Sequence, residues 1–236
     1  MPFNIGGNIL SNTHIKLYNN ENIVRNGLIM YLDAGISNSY PGSGTTWTNL
    51  SGDGYNGVLT NGPTYNTSVG GNIFFDGTDD YVDIGTNVYN MGIRRHATFM
   101  GWMTSLSAGG GAYLLSDWNG LGMTLRFNNT SSTDFYVYGD NRRVTVSYTF
   151  TPGTWYHITG VMDGANMYTY INGLLGGSQI LGEDIGSSPS TLKIGPRGDG
   201  VAMSNQRVGN VLIYNRALSA SEVLQNFNSN RRRFNI

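Results

Sequence analysis

Trp155-Tyr156-His157-Ile158-Thr159-Gly160-Val161-Met162-Asp163-Gly164, continuing through Ala165-Asn166-Met167-Tyr168-Thr169-Tyr170-Ile171 to Asn172-Gly173, is the stretch whose reading decides the fold. Asp163-Gly164 lies between two runs rich in aromatic and β-branched residues, and such a dipeptide tolerates the positive φ that a tight hairpin needs. Tyr168 and Tyr170 alternate with Met167, Thr169 and Ile171, the period of two that sends successive side chains to opposite faces of a sheet. Asn172-Gly173 ends the second strand. Upstream, Phe135 and Val137 face one way and Tyr136 and Tyr138 the other.

Working outward, short strands are expected at 28–33, 73–76, 80–84, 97–104, 112–116, 121–127, 134–138, 144–149, 155–162, 166–171, 191–195 and 208–214. Residues 37–72 read as turns, through Pro41-Gly42-Ser43-Gly44, Ser51-Gly52-Asp53-Gly54 and Asn61-Gly62-Pro63. One helix is signed near the C-terminus. Ser219 caps it, Glu222 completes a capping box, and Leu218 and Val223 form a hydrophobic staple. Val223, Leu224 and Phe227 make its apolar face. No repeat of about 20–50 residues exists, which excludes a propeller or solenoid. The expected fold is all-β: a two-sheet antiparallel jelly-roll sandwich with one short C-terminal helix.

Three segments follow: an Asn-rich N-terminal arm at 1–26, the sandwich at 27–230, and a basic tail at 231–236 carrying Arg231-Arg232-Arg233. The arm reads either as a floppy leader or as a segment ordered by docking on a neighbour. The arginines of the tail, like Arg142-Arg143, read as solvated or as partner salt bridges.

Composition agrees. Of 236 residues, Gly (34), Asn (28), Thr (21) and Ser (20) make up about 44%, a mix that supplies turns and short strands rather than helices. Charged residues are 12%, about half the usual ~25%. The net charge of −1 implies no nucleic-acid or anionic-membrane partner through its field. No apolar run is long enough for a transmembrane helix. The start lacks the basic and apolar regions of an export signal, and cysteine is absent. These features suit a chain that acts outside a cell after synthesis in a host cytoplasm, as virion proteins do.

Four segments resemble the LamG-like jelly-roll domains of the concanavalin A-like lectin/glucanase group: Phe74–Val82, Ala97–Met103, Trp155–Gly173 and Ile213–Ser219. Gly27–Asp33, Tyr40–Trp47 and Leu218–Phe227 resemble the LamG-like virion proteins of tailed phages, including cyanophages. Where that family carries an acidic pair before the last strand, this chain has Val208-Gly209-Asn210-Val211. The resemblance implies a structural protein displayed on the capsid or tail surface, contacting other virion proteins through its arm, as a homo-oligomer.

Glycoside hydrolysis needs two carboxyl groups about 5–9.5 Å apart. The three glutamates, Glu21, Glu183 and Glu222, fall in the arm, a loop and the helix cap. The histidines are His14, His96 and His157, with no nucleophile elbow; His157 reads as structural. The chain is therefore read as non-enzymatic. Asp76, Asp79, Asp80 and Asp83 gather at an expected hairpin tip and suit Ca²⁺, which takes oxygen ligands from loops and which LamG-like domains often bind. No cofactor is otherwise required. Trp118, in a turn between strands, and Arg126, Tyr136 and Tyr138 on the following strands combine aromatic rings and a planar polar group, the elements of a site for cell-surface polysaccharide. A secreted bacterial carbohydrate-binding module is the alternative reading.

Overall fold

The computed structural model describes residues 22–107, 111–117, 119, 122–137, 142–182, 184–197 and 204–236. Its strands are β1 (Leu28–Asp33), β2 (Thr46–Trp47), β3 (Gly57–Thr60), β4 (Thr64–Asn66), β5 (Asn72–Asp76), β6 (Tyr81–Asp83), β7 (His96–Ser105) and β8 (Ala112–Ser116). They continue with β9 (Met123–Asn129), β10 (Ser132–Val137), β11 (Arg142–Ser147), β12 (Tyr156–Asp163), β13 (Asn166–Ile171), β14 (Leu174–Ile180), β15 (Lys193–Gly195) and β16 (Asn205–Tyr214), followed by helix α1 (Ala220–Asn230).

Two antiparallel sheets result. The first runs β14-β13-β12-β7-β16-β5-β4, with β1 also pairing β16; the second runs β11-β10-β9-β8-β15-β6-β3-β2. The expected all-β sandwich is what forms. The β12–β13 hairpin turns where expected, with Gly164 at φ +96°. The Asp163 carboxylate accepts from the amides of Ala165 and Asn166. Asn172 and Gly173 both take positive φ, but they do not end the sheet. They turn the chain into β14, a strand the sequence reading did not place.

The inner faces form one core that includes Met30, Phe75, Phe99, Leu125, Phe135, Ile158, Met167 and Ile213. Gly160 is needed there: a Cβ would stand 2.6 Å from the Phe135 ring. At one side, Val144 and Val146 of β11 close against Gly176 and Gly177 of β14. The two sheets touch there because those residues lack side chains.

Helix α1 lies on the outer face of the first sheet. Its capping box forms as expected: Ser219 Oγ accepts from the Glu222 amide, and Glu222 accepts from the Ser219 amide. Leu218 and Val223 share one buried cluster with Met100, Leu212 and Tyr214. The buried face is Val223, Asn226, Phe227 and Asn230, whereas Leu224, expected to be buried, is 39% exposed. Asn226 substitutes for an apolar residue because it has partners. Its Oδ1 accepts from the Val24 amide at 2.8 Å and its Nδ2 donates to the Tyr214 hydroxyl at 3.0 Å. Ile23 and Val24 are buried beneath this knot.

In the tail, Arg231 and Arg232 are exposed, but Arg233 and Phe234 are not solvated. Phe234 stacks on Trp102 with centroids 4.4 Å apart. Arg233 is 3% exposed and pairs with buried Asp33 at 2.5 Å. It also donates to the carbonyls of Val69 and Gly71. A buried cation persists only with such full pairing.

Candidate functional site

The second sheet carries no helix on its outer face among the described residues. Strands β8 to β11 are buried on the core side through Leu114, Leu125, Phe135 and Val144, so alternation turns the residues between them outward. Register then assembles two cross-strand rows. One is Tyr113–Arg126–Asp134–Thr145 and the other Ser116–Thr124–Tyr136–Arg143.

The first row is a continuous hydrogen-bond chain. Arg126 donates from Nη1 to the Tyr113 hydroxyl at 2.8 Å and from Nη2 to Asp134 Oδ2 at 3.0 Å. A second Nη2 bond reaches Asn128 Oδ1 at 2.9 Å. Thr145 Oγ1 donates to Asp134 Oδ1 at 2.8 Å. Asp134 is fully buried under its partners, so the ion pair fixes the guanidinium plane rather than offering free charge. In the second row the Ser116 and Thr124 hydroxyls share a bond of 2.8 Å. Arg143 lies 5.9 Å from the Tyr136 ring centroid, within cation–π range. Tyr136 is half-buried and Arg143 and Thr145 are exposed, so the accessible end of the rows lies over β10 and β11.

Of the four expected ligand residues, Arg126 and Tyr136 lie on this face, in adjacent strands but different rows. Trp118 and Tyr138 lie outside the described residues. Tyr113, Asp134, Thr145 and Arg143 were not anticipated. Alternation from Phe135 would have placed Asp134 beside Tyr136, but finding their cross-strand partners requires the register.

The acidic cluster forms in part. Ligand oxygens of Asp76, Asp79 and Asp80 lie within 4.8 Å of one another. They sit on a crossover rather than the expected hairpin tip, since β5 belongs to the first sheet and β6 to the second. Gly77 makes the corner at φ +84°, where a Cβ would stand 2.7 Å from the Asn205 amide nitrogen. The Asp76 amide donates to Asp80 Oδ2 at 3.0 Å and the Thr78 amide to Asp76 Oδ1 at 2.7 Å. Burial, opposed by the Asp76 amide and reinforced by the neighbouring carboxylates, holds Asp80 above the usual carboxylate range. Asp83 stands apart: it faces Lys193 across the sheet and accepts from the Gly85 amide. An all-oxygen, triply anionic donor set fits a hard divalent cation such as Ca²⁺.

Other ionisable groups have structural work. Glu222 is held down at about 2, chiefly by its hydrogen bonds with Arg216. Asp117 is pushed up to about 6 by burial, though it accepts from the amides of Met123 and Val88 and so ties two loops together. His157, fully enclosed beside Trp102 and Phe227, is lowered to about 3 by burial and stays neutral. Glu21 and Glu183 lie outside the described residues.

No curated protein matches the sequence. Among solved structures, the binding domain of Paraclostridial Mosquitocidal Protein 1 is similar at a TM-score of 0.68 and 17% identity, covering 87% of this chain and 52% of its own. The receptor-binding domain of a botulinum neurotoxin C/D mosaic gives 0.66 and 14%, with the same coverage. Trypanosoma rangeli sialidase gives 0.61 and 19%, over 85% of this chain and 32% of its own. The chain thus spans about half of the toxin domains and a third of the sialidase, and at these identities the likeness is one of fold. A family model matches residues 76–224, from the acidic crossover into helix α1, and by that match the chain belongs to the concanavalin A-like lectin/glucanases superfamily.

Proposed function

We propose that this chain is a non-enzymatic adhesion module on the surface of a tailed-phage particle, on capsid or tail, and that it holds cell-surface glycan against the outer face of its second sheet. The observation that carries the reading is the pair of cross-strand rows. Tyr113, Arg126, Asp134 and Thr145 are locked to one another, and Tyr136 and Arg143 lie at their accessible end. A sugar is recognised by a ring against its C–H face and by planar hydrogen-bonding groups held in place. One structure with the same fold comes from work on botulinum neurotoxin type C, whose cell entry depends on two ganglioside molecules. Placement on a phage rests on the phrasing of Gly27–Asp33, Tyr40–Trp47 and Leu218–Phe227. Absence of cysteine suits synthesis in a host cytoplasm.

The non-enzymatic reading is supported by the employment of the described acids. Asp33, Asp134 and Glu222 are each paired with an arginine. Ca²⁺ at Asp76, Asp79 and Asp80 would brace the crossover between the sheets. Association into a homo-oligomer is supported by edge strand β14, where Leu174, Leu175 and Ile180 are 57–69% exposed. An uncharged apolar edge invites pairing.

The test is binding of purified chain to a panel of bacterial surface polysaccharides, with Tyr136→Ala alongside. Retention by at least one polysaccharide, weakened in the variant, is the expected result. Silence across the panel, or clear turnover of a polysaccharide, would end the reading. Removing residues 1–21 keeps Ile23 and Val24; it should abolish incorporation into particles while leaving the melting temperature unchanged.

A further inference from the structure

Strands β14 and β4 end the first sheet, and β11 and β2 end the second. Strands β2 and β4 have two and three residues, too short to hold a partner strand. Strand β11 carries Arg142 and Arg143. Strand β14 has seven residues, none of them charged and none proline, so it lacks two of the usual devices that keep a sheet edge from pairing. Its irregularity is the bulge at Gly176. From Gly177 to Ile180 it pairs regularly with Asn166 to Thr169.

This edge is also where exposed apolar side chains gather among the described residues. Leu174, Leu175 and Ile180 are 69, 57 and 65% exposed, and Leu224 of α1 is 39% exposed. Leu224 stands beside Gly173, at the start of the strand. The Ile180 amide donates to the side chain of its own neighbour, Gln179 Oε1, at 3.1 Å, a stand-in for a strand partner.

We propose that β14 pairs antiparallel with β14 of a second copy of this chain across a two-fold axis, joining the two first sheets into one. This interface rests on the homo-oligomer put forward above and gives it a contact. A two-fold contact sets a strand against itself, so any charge on it meets a like charge. Strand β14 has no charge to repel its copy, whereas β11 would bring arginines together. Opposed residues share a face of the sheet, so the axis passes through a residue and not between two. In the regular run that residue is Ser178 or Gln179, both neutral. Pairing there draws the apolar side chains of both edges out of water.

The axis stands perpendicular to the joined sheet, because antiparallel two-fold pairing keeps each face on its own side. Both second sheets therefore lie on one side, and both Arg126–Tyr136 faces look the same way. Two such faces meeting one cell surface gain avidity without a new contact.

The experiment is the mass of the full chain in solution by light scattering, without sugar, for wild type, Ser178→Lys and Ser178→Glu. Ser178 is exposed and lies outside the glycan face. Wild type is expected at the mass of two copies and each variant at that of one. An equimolar mixture of the variants should return to two copies, since opposite charges then meet. A two-copy mass that both variants keep, or a mixture that stays at one copy, overturns the β14 contact and leaves the homo-oligomer standing. A wild type at one copy at every concentration overturns both. A wild-type assembly larger than two copies overturns the two-fold pairing. If a variant does not fold, hydrogen exchange of wild type decides: protection of the β14 amides that rises with concentration supports the contact, and unchanged protection overturns it. The polysaccharide panel is read separately, so failure here leaves the glycan face untouched.

Discussion

His157 and Arg233 show how single residues are committed by burial. The His157 imidazole is neutral in the fold, with its affinity for a proton lowered to about 3 by burial, while in the unfolded chain it takes a proton near 6.5. Below about pH 6.5 the unfolded state therefore binds more protons, and stability falls as pH drops towards 3, by about 1.4 kcal/mol per pH unit. Asp117 acts in the opposite sense: raised to about 6, it loses its stabilising contribution as pH climbs through that value. The comparison must therefore be between proteins at each pH. His157→Leu is expected to melt with a shallower acid limb than wild type between pH 6.5 and 4, and parallel limbs would refute the assignment. Arg233→Met leaves Asp33 buried beside Tyr31 and Asn210 without its cation. A loss of about 3–5 kcal/mol in urea denaturation is expected, much of it recovered when Asp33→Asn is added.

At the scale of elements, the sheets meet through glycines placed opposite large side chains. Gly160 receives the Phe135 ring, and Phe135 in turn packs on Phe99 with centroids 5.9 Å apart. Gly160→Ala is expected to cost about 1–3 kcal/mol by overpacking, read as a lower melting temperature with unchanged secondary structure. A neutral effect would mean that the Phe135 ring moves freely. Helix α1 was legible beforehand because its signals are local: a Ser–Glu box and a staple three to five residues apart. Its buried face was not. Asn226 counts as polar in any pattern, and its partners are Val24, brought from 202 residues away, and Tyr214 at the end of β16. Strands β2, β3 and β4 are two to four residues long and were hidden among Gly, Asn and Pro. Strand β14 was hidden by its Gly176-Gly177, a pair that weakens a strand unless another backbone or side chain approaches closely.

For the molecule as a whole, the crossover at residues 76–80 is one of the joints between layers, and it concentrates negative charge. Added Ca²⁺ is expected to raise the melting temperature, by the equivalent of about 2.7 kcal/mol at a hundredfold excess over its Kd. Asp80→Asn should remove the shift. A shift that survives in that variant, measured by calorimetry with and without chelator, would place the ion elsewhere. The same architecture separates two outer faces. The first sheet carries α1 and Phe234 on its outer face, whereas Arg126 and Tyr136 stand on that of the second.

The sequence alone determined the strand-and-turn grammar, the β12–β13 turn, the single helix with its cap, and hence the sandwich class. Those follow from φ preferences and side-chain period, which act over a few residues. The tertiary structure alone decided which strand lies beside which. It made the acidic loop a crossover between sheets, joined Tyr113, Arg126, Asp134 and Thr145 in one row, and drew Arg233 into the interior. Strand register and charge burial depend on partners far apart in the chain, and no local pattern encodes those partners.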